Sequence, residues 1–427
     1  MMGDSLIRIG HRFGSSEEKY MVRGEGAYLY DNNGRKYLDL CGGIWNIPFG
    51  YGNSYIADKI KKQLDILPFC NLITNETQEQ SNYAKRLAAI LEMENILFTC
   101  SGSEAVEASV KAARQYQRVR GNERSGIAAF NLSYHGTSYG AMSVSGIDKD
   151  ITKVFGPLLS EISWVETPQE IYDTEKWNEA VKRGLEEKVH MLAAVIIEPI
   201  IASGGVVSIP DETLYLIDKL CRQNDVLMIY DEVTTGFGRT GTPFLYLEKN
   251  IKPDLVCLSK GITNGYMPFG AVAFSKKVAE TFSKSGSTFE HFSSQSGNLL
   301  SVAAGEAVLD LMDDYESFEV AKKGELFRNA LSEGLSGIEE TDIRGKGLIT
   351  GISFNKNISD RTLESVISGL ERQGILTYYF DNPGYNKGLS FFPPFTIDKE
   401  TLLKAAGIIC RRIKREPEVR AFEAACM

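Results

Sequence analysis

Along the chain, short runs that are apolar from end to end alternate with longer stretches of helical spacing. "NILFTC" (95–100) is the first such run, and a helical pattern follows it from Ser103 to about Arg118. "GIAAFN" (126–131), "MLAAVIIEP" (191–199), "VLMIYDE" (226–232), "DLVCLS" (254–259) and "GAVAFS" (270–275) repeat the theme. An amphipathic helix, "TLYLIDKLCRQN" (213–224), separates two of them. Runs without a polar face belong to strands covered on both sides, so the pattern predicts an α/β fold with a mostly parallel central sheet and helices on both faces.

The two ends of the chain read differently. "GAYLYDNNGRKYLDL" is a hairpin, with aromatic-rich alternating runs on either side of Asp31-Asn32-Asn33-Gly34. From about residue 300 a long helix, "LLSVAAGEAVLDLMDDY", gives way to strand-like "LITGISF" and "GLSFFPPF". These segments predict a smaller α+β domain built from both chain ends. Residues 1–50 join it, 51–299 form the large domain, and 300–427 complete the small one.

Ligands of open α/β sheets sit at the carboxyl ends of the strands. Three polar groups stand at such ends here: Ser101-Gly102-Ser103, Asp231-Glu232 and Lys260. In "CSGSEAVEASVKAARQY" a strand runs into Ser-Gly-Ser and then a helix. Ser101 and Glu104 have capping-box spacing, and the N–H groups of Gly102, Ser103 and Glu104 with the helix dipole make an anion site. A plain capped helix is the simpler alternative. Asp231 emerges from a buried strand and needs a partner, either a salt bridge or a cationic ring nitrogen. Lys260 lies 29 positions further on, at the end of the next strand. It either snorkels to solvent or presents a desolvated, nucleophilic amine. Tyr134, in "NLSYHGTSYG", packs in the core or stacks on a flat heterocycle. Together a phosphate site, a stacking ring, a carboxylate and a lysine describe a site for pyridoxal phosphate. No G-x-G-x-x-G follows any strand, which argues against a dinucleotide.

Composition narrows the classes further. A net charge of −9 over 427 residues excludes a nucleic-acid partner as an expectation. The four histidines (His11, His135, His190, His291) form no pair with metal-ligand spacing. The seven cysteines (41, 70, 100, 221, 257, 410, 426) form no C-x-x-C pair. Those in or beside apolar runs fit small buried hydrophobes in a reducing compartment. "MMGDSLIRIGHRFGSSEEK" lacks the apolar core of a signal peptide, and no run comes near the length of a membrane span. A cytoplasmic enzyme is expected.

These residues resemble the class III aminotransferases, the ω-transaminase, ornithine and 4-aminobutyrate group of fold-type I pyridoxal-phosphate enzymes. "GAYLYDNNGRKYLDLCGGIWNIPFGYG", "TCSGSEAVEASVKAAR", "YHGTSYGAMS", "VIIEPIIASGGV", "YDEVTTGFGRTG", "LSKGITNGYMPFGAV" and "SGNLLSVAAG" follow in the family's order. The resemblance implies Lys260 as the Schiff-base lysine and proton shuttle, and Asp231 as partner of the pyridine nitrogen. It implies Val233 on the ring face opposite Tyr134, and Ser101, Gly102 and Ser103 at the phosphate. His135 and Glu198 stand beside the cofactor. It further implies a homodimer in which Ser294, in "SSQSGNLL", reaches the other subunit's phosphate, with Leu299 where a proline is usual. Trp45, Arg239 and Ser390 fall on the substrate side. Two departures bear on substrate. Ser203 stands where one branch of the family has a switching glutamate. Ser390 stands where an arginine grips an α-carboxylate, and a serine makes no fork. Either another cation, Arg239 or Arg344, takes over, or a substrate lacks an α-carboxylate. The activity implied is ping-pong transfer of an amino group from an amine or amino acid to a carbonyl acceptor. An aminomutase, a racemase or epimerase, or a decarboxylase on the same scaffold is the alternative.

Overall fold

The computed structural model describes residues 19–147, 149–338, 341–354 and 358–419. His11, Cys426 and nearly all of the N-terminal stretch read for a signal peptide lie outside the described residues. A seven-stranded sheet forms the centre. Its order is Asn95–Thr99, Gly270–Phe274, Leu255–Leu258, Leu227–Asp231, Leu192–Ile197, Gly126–Phe130 and Ile162–Val165. Gly270–Phe274 runs antiparallel to both of its neighbours, and the other pairs are parallel. The expected mostly parallel sheet is therefore present.

The apolar strands feed two cores because successive side chains point to opposite faces. Met228, Tyr230, Val256 and Leu258 pack into one core with the helices Thr174–Leu185, Asp211–Asn224 and Leu299–Met312. Leu227, Ile229, Leu255 and Cys257 pack into the other, against the Ala-rich helix Gly102–Val119. Ala105, Ala108 and Ala112 of that helix are fully buried, and their small side chains let it lie close to the sheet.

Two smaller sheets draw on the chain ends. The hairpin strands Tyr28–Asp31 and Lys36–Asp39 join Met21–Glu25, and the sheet is completed by Ile375–Leu376, parallel to Lys36–Asp39. A four-stranded antiparallel sheet holds Asp342–Lys346, Ile349–Phe354, Asn386–Phe391 and Tyr378–Asn382. Among the described residues no helix is long and apolar enough to cross a membrane. None of them forms a group that could hold a metal ion.

Candidate active site

Five strand ends of the central sheet deliver polar residues to one edge. A cavity of about 170 Å³ opens there, lined by Ser101, Gly102, Ser103, Tyr134, His135, Gly136, Asp231, Val233, Thr234, Ser259 and Lys260. Ser101 caps the helix Gly102–Val119, its Oγ accepting from Glu104 N at 3.1 Å. The expected capping box is half formed: the Glu104 carboxylate reaches back to Cys100 N at 2.7 Å, one residue further than the box requires. The Glu104 N–H is thus committed to the cap, which leaves Gly102 and Ser103 as the anion-facing donors. Gly136 closes over this turn at φ +130°, and a Cβ there would stand 2.4 Å from Ser103 Oγ. Only glycine fits so close an approach.

Asp231 ends its strand almost fully buried. One carboxylate oxygen accepts from Val233 N at 3.0 Å. The other lies 2.7 Å from His135 Nδ1, across 96 positions of sequence. His135 is buried too, and its Nε2 has no hydrogen-bond partner in the structure. Glu198, at the end of the strand Leu192–Ile197, accepts from Tyr134 N at 2.9 Å. Burial pushes its carboxyl up to about 7; the imidazole of His135 opposes this and the Asp231 carboxylate adds to it.

Lys260 begins the turn after Leu255–Leu258 with φ +46°, a left-handed conformation that a long side chain adopts rarely. Its Nζ donates to Thr234 Oγ1 at 2.7 Å and lies 4.5 Å from the centroid of the Trp45 ring. Burial pulls the amine down to about 8, against the upward pull of Asp231 and Glu198. Trp45 is itself stacked on Phe392, centroids 4.3 Å apart, with Tyr378 edge-on at 5.6 Å. Ser390 is buried and pairs across the strand with Tyr378, so the two share the sheet face that carries this aromatic wall.

The remaining expected residues stand apart from the cavity. Arg239 is buried: Nη1 donates to the Pro393 carbonyl at 2.6 Å and Nη2 has no partner, while burial pulls its guanidinium down to about 9. Arg344 drops out of the alternatives for a substrate carboxylate. Its guanidinium is spent on the Gly205 and Val206 carbonyls, Ser353 and Asp342, and is not available to a carboxylate. Ser294 is exposed, on the rim of a separate cleft with Phe69, Leu72, Ile73 and Phe292. Thr234 went unnoticed in the sequence, although it directly follows Val233.

The cavity matches pyridoxal phosphate in its chemistry. A helix start could take a phosphate, a buried carboxylate with an imidazole behind it could take a ring nitrogen, and a desolvated amine could take an aldehyde.

Comparison with known proteins points the same way. A family model described as aminotransferase class-III matches residues 14–413. Acetylornithine aminotransferase of Aquifex aeolicus is 33% identical over 392 residues, covering 91% of this chain and 95% of that protein. Adenosylmethionine-8-amino-7-oxononanoate aminotransferase of Staphylococcus aureus is 31% identical, covering 86% and 87%. An amine transaminase from an uncultivated Pseudomonas species, solved in its PLP-bound form, superposes with a TM-score of 0.84 at 28% identity, covering 96% and 98%.

Proposed function

The chain belongs to the class-III aminotransferases, and from that premise we propose that Lys260 is its reacting amine, served by Asp231, His135 and the Ser101–Ser103 turn. The protein is a pyridoxal-phosphate-dependent aminotransferase. One observation carries the assignment of roles: a desolvated amine, a buried carboxylate and a helix N-terminus converge on a single small cavity.

When bound, the cofactor supplies an aldehyde that receives the amino group and a ring that accepts electrons. Gly102 and Ser103 hold its phosphate through their N–H groups and the helix dipole. Asp231 keeps a proton on the ring nitrogen, and His135 Nδ1 and Val233 N fix the carboxylate's orientation. Val233 and Tyr134, which line the cavity, would bracket the ring. Burial raises the Glu198 carboxyl to about 7, so it holds a proton more readily than an exposed carboxylate and limits the negative charge buried beside Asp231. Lys260, once free, would take the proton from the substrate's α-carbon and pass it to the cofactor carbon that bore the aldehyde, and would carry a proton the opposite way in the second half of the cycle.

The substrate side is apolar. Trp45 and Phe392 form its wall, Ser390 offers no guanidinium fork, and that of Arg344 is spent. Of the two cations named for that role Arg239 keeps an unpartnered Nη2, so an α-carboxylate would be met there, while the apolar wall itself suits an amine or carbonyl partner without one. The site is shared by two copies of the chain, with the exposed Ser294 donating to the phosphate held by the partner. The six described cysteines are free thiols, which suits the reducing cytoplasm.

The test is the visible absorption spectrum of the purified protein, before and after borohydride, beside Lys260→Ala. A reducible band that the variant lacks supports the assignment. No band, even with cofactor added, overturns it. With one amine and no carbonyl acceptor, an aminotransferase stops after one stoichiometric turnover. A racemase, aminomutase or decarboxylase continues.

A further inference from the structure

The mechanism above leaves Thr234 without a role, yet its hydroxyl makes the one hydrogen bond the structure gives to the Lys260 amine. We propose that Thr234 is a positioning residue for the free lysine, holding Nζ at a fixed place beneath Trp45 while it carries the substrate's proton. The inference rests on the reading of Lys260 as the base.

The geometry is specific. Nζ lies 2.7 Å from Thr234 Oγ1 and 4.5 Å from the Trp45 ring centroid, so it is bounded by a hydroxyl and an aromatic face. The charges that act on it, Asp231, Glu198 and Arg239, do so from a distance rather than as hydrogen-bond partners. Thr234 is itself mostly buried, so water competes weakly for the contact. The chemistry of the partner also fits the task. A base that shuttles a proton is neutral before it takes the proton and cationic after. A hydroxyl accepts from the ammonium and donates to the neutral amine. It can reverse the bond by rotating its hydrogen, without moving a heavy atom. A carboxylate at the same distance would hold the ammonium form and blunt the base. A valine would leave the amine free to swing about its four-carbon stem.

Two readouts test this on Thr234→Val, which keeps the shape and removes the hydroxyl, and Thr234→Ser, which keeps the hydroxyl. The first needs no turnover. Cofactor-free protein is pulsed with acetic anhydride between pH 6 and 10, and Lys260 acetylation is quantified by mass spectrometry against surface lysines. A hydrogen bond to the ammonium is stronger than one to the neutral amine. Its loss should therefore speed labelling at pH 7 by about threefold in the valine variant, with serine matching wild type. The second is the single half-reaction of the holoenzyme with 1-phenylethylamine or L-alanine, unlabelled and deuterated at the α-carbon. The valine variant should be about tenfold slower at saturating amine, with the isotope effect retained or larger and KM within threefold; serine should recover the rate. Thr234→Ala serves both readouts if the valine variant does not fold. The proposal fails if labelling is unchanged in the valine variant, if serine is as impaired as valine, or if the defect lies in KM alone. Wild-type protein lacking the Lys260-dependent band would instead sink the assignment of Lys260. A normal wild type with an indifferent Thr234→Val would sink only this inference.

Discussion

Replacing Asp39 by asparagine should loosen the loop that carries Trp45. Asp39 is buried, and its two oxygens accept from Cys41 N at 2.8 Å, Gly43 N at 2.8 Å and Tyr51 Oη at 2.6 Å. These bonds hold a backbone that is left-handed at Gly42, Gly43 and Trp45, with φ of +57°, +71° and +67°. The fit is close: a Cβ on Gly42 would stand 2.5 Å from the Phe392 carbonyl oxygen. Asparagine keeps the shape, removes the charge and turns one acceptor into a donor. The phenol of Tyr51 can reverse its bond, but one backbone N–H then loses its acceptor. Charge-assisted bonds and a stranded buried donor each carry about 1.5–3 kcal/mol, so the net loss should be about 3 kcal/mol. A chain of 427 residues unfolds with an entropy of roughly 0.9 kcal/mol/K, which converts the loss to a Tm lower by about 3 °C. Because Trp45 stands over Lys260, KM for the amine should rise about fivefold with cofactor affinity unchanged. Calorimetry, amine kinetics and cofactor titration measure the three quantities. Asp31→Asn is the control. Asp31 latches the hairpin through Asn33 N, Arg35 N and Tyr37 Oη, away from the cavity, and should lower Tm without touching KM. A Tm for Asp39→Asn within about 1 °C of wild type, or the same KM as the control, would refute the reasoning.

Asp231→Asn should lower kcat by about 10² to 10³ while leaving the protein able to take up cofactor, measured by steady-state kinetics and absorbance. Trp45→Gly should raise kcat/KM for a bulky amine relative to a small one by about tenfold, read in a paired substrate assay. Ser294→Ala should weaken cofactor binding by about tenfold, through the lost hydroxyl on the phosphate, as read by fluorescence titration. The half-reaction rate should climb between pH 7 and 9 with a midpoint near 8, because Lys260 is a base only when deprotonated and burial pulls its amine down to about 8. The same depressed value has a stability consequence. The unfolded chain binds the lysine proton up to its ordinary 10.5 and the folded one only to about 8. The lysine's contribution to stability therefore rises between those two values, which urea unfolding of the cofactor-free protein at pH 8 and 10 can detect.

The central sheet was legible because its strands are apolar on both faces, a pattern few other elements share. Strand direction was not: "GAVAFS" reads the same whether it runs with or against its neighbours, and Gly270–Phe274 runs against. The strand Ile162–Val165 went unread because it is four residues long and only half of them are buried. At the site, Lys260, Asp231 and the Ser-Gly-Ser turn stood out because each ends or follows an apolar run. The contact between His135 and Asp231 joins a loop residue that follows one strand to the last residue of another, and no local pattern records it. Arg344 carried a visible charge, but whether an arginine's donors are already spent depends on the carbonyls that fold around it. Thr234 is an ordinary residue type in a loop, and only the position of the lysine amine gives it a meaning.

The N-terminal sheet has a consequence for how the enzyme comes into being on the ribosome. Leu38 N and Leu40 N are satisfied by the carbonyls of Gly374 and Leu376, and Phe392 N closes on Leu40 O. The segment that sets Trp45 over Lys260 is therefore bracketed by residues made some 330 positions later, roughly 20 to 70 seconds at ordinary rates of synthesis. A nascent chain can complete the central sheet and present its lysine well before that wall exists. The wall over Lys260 is therefore complete only when the last quarter of the polypeptide arrives to shut it.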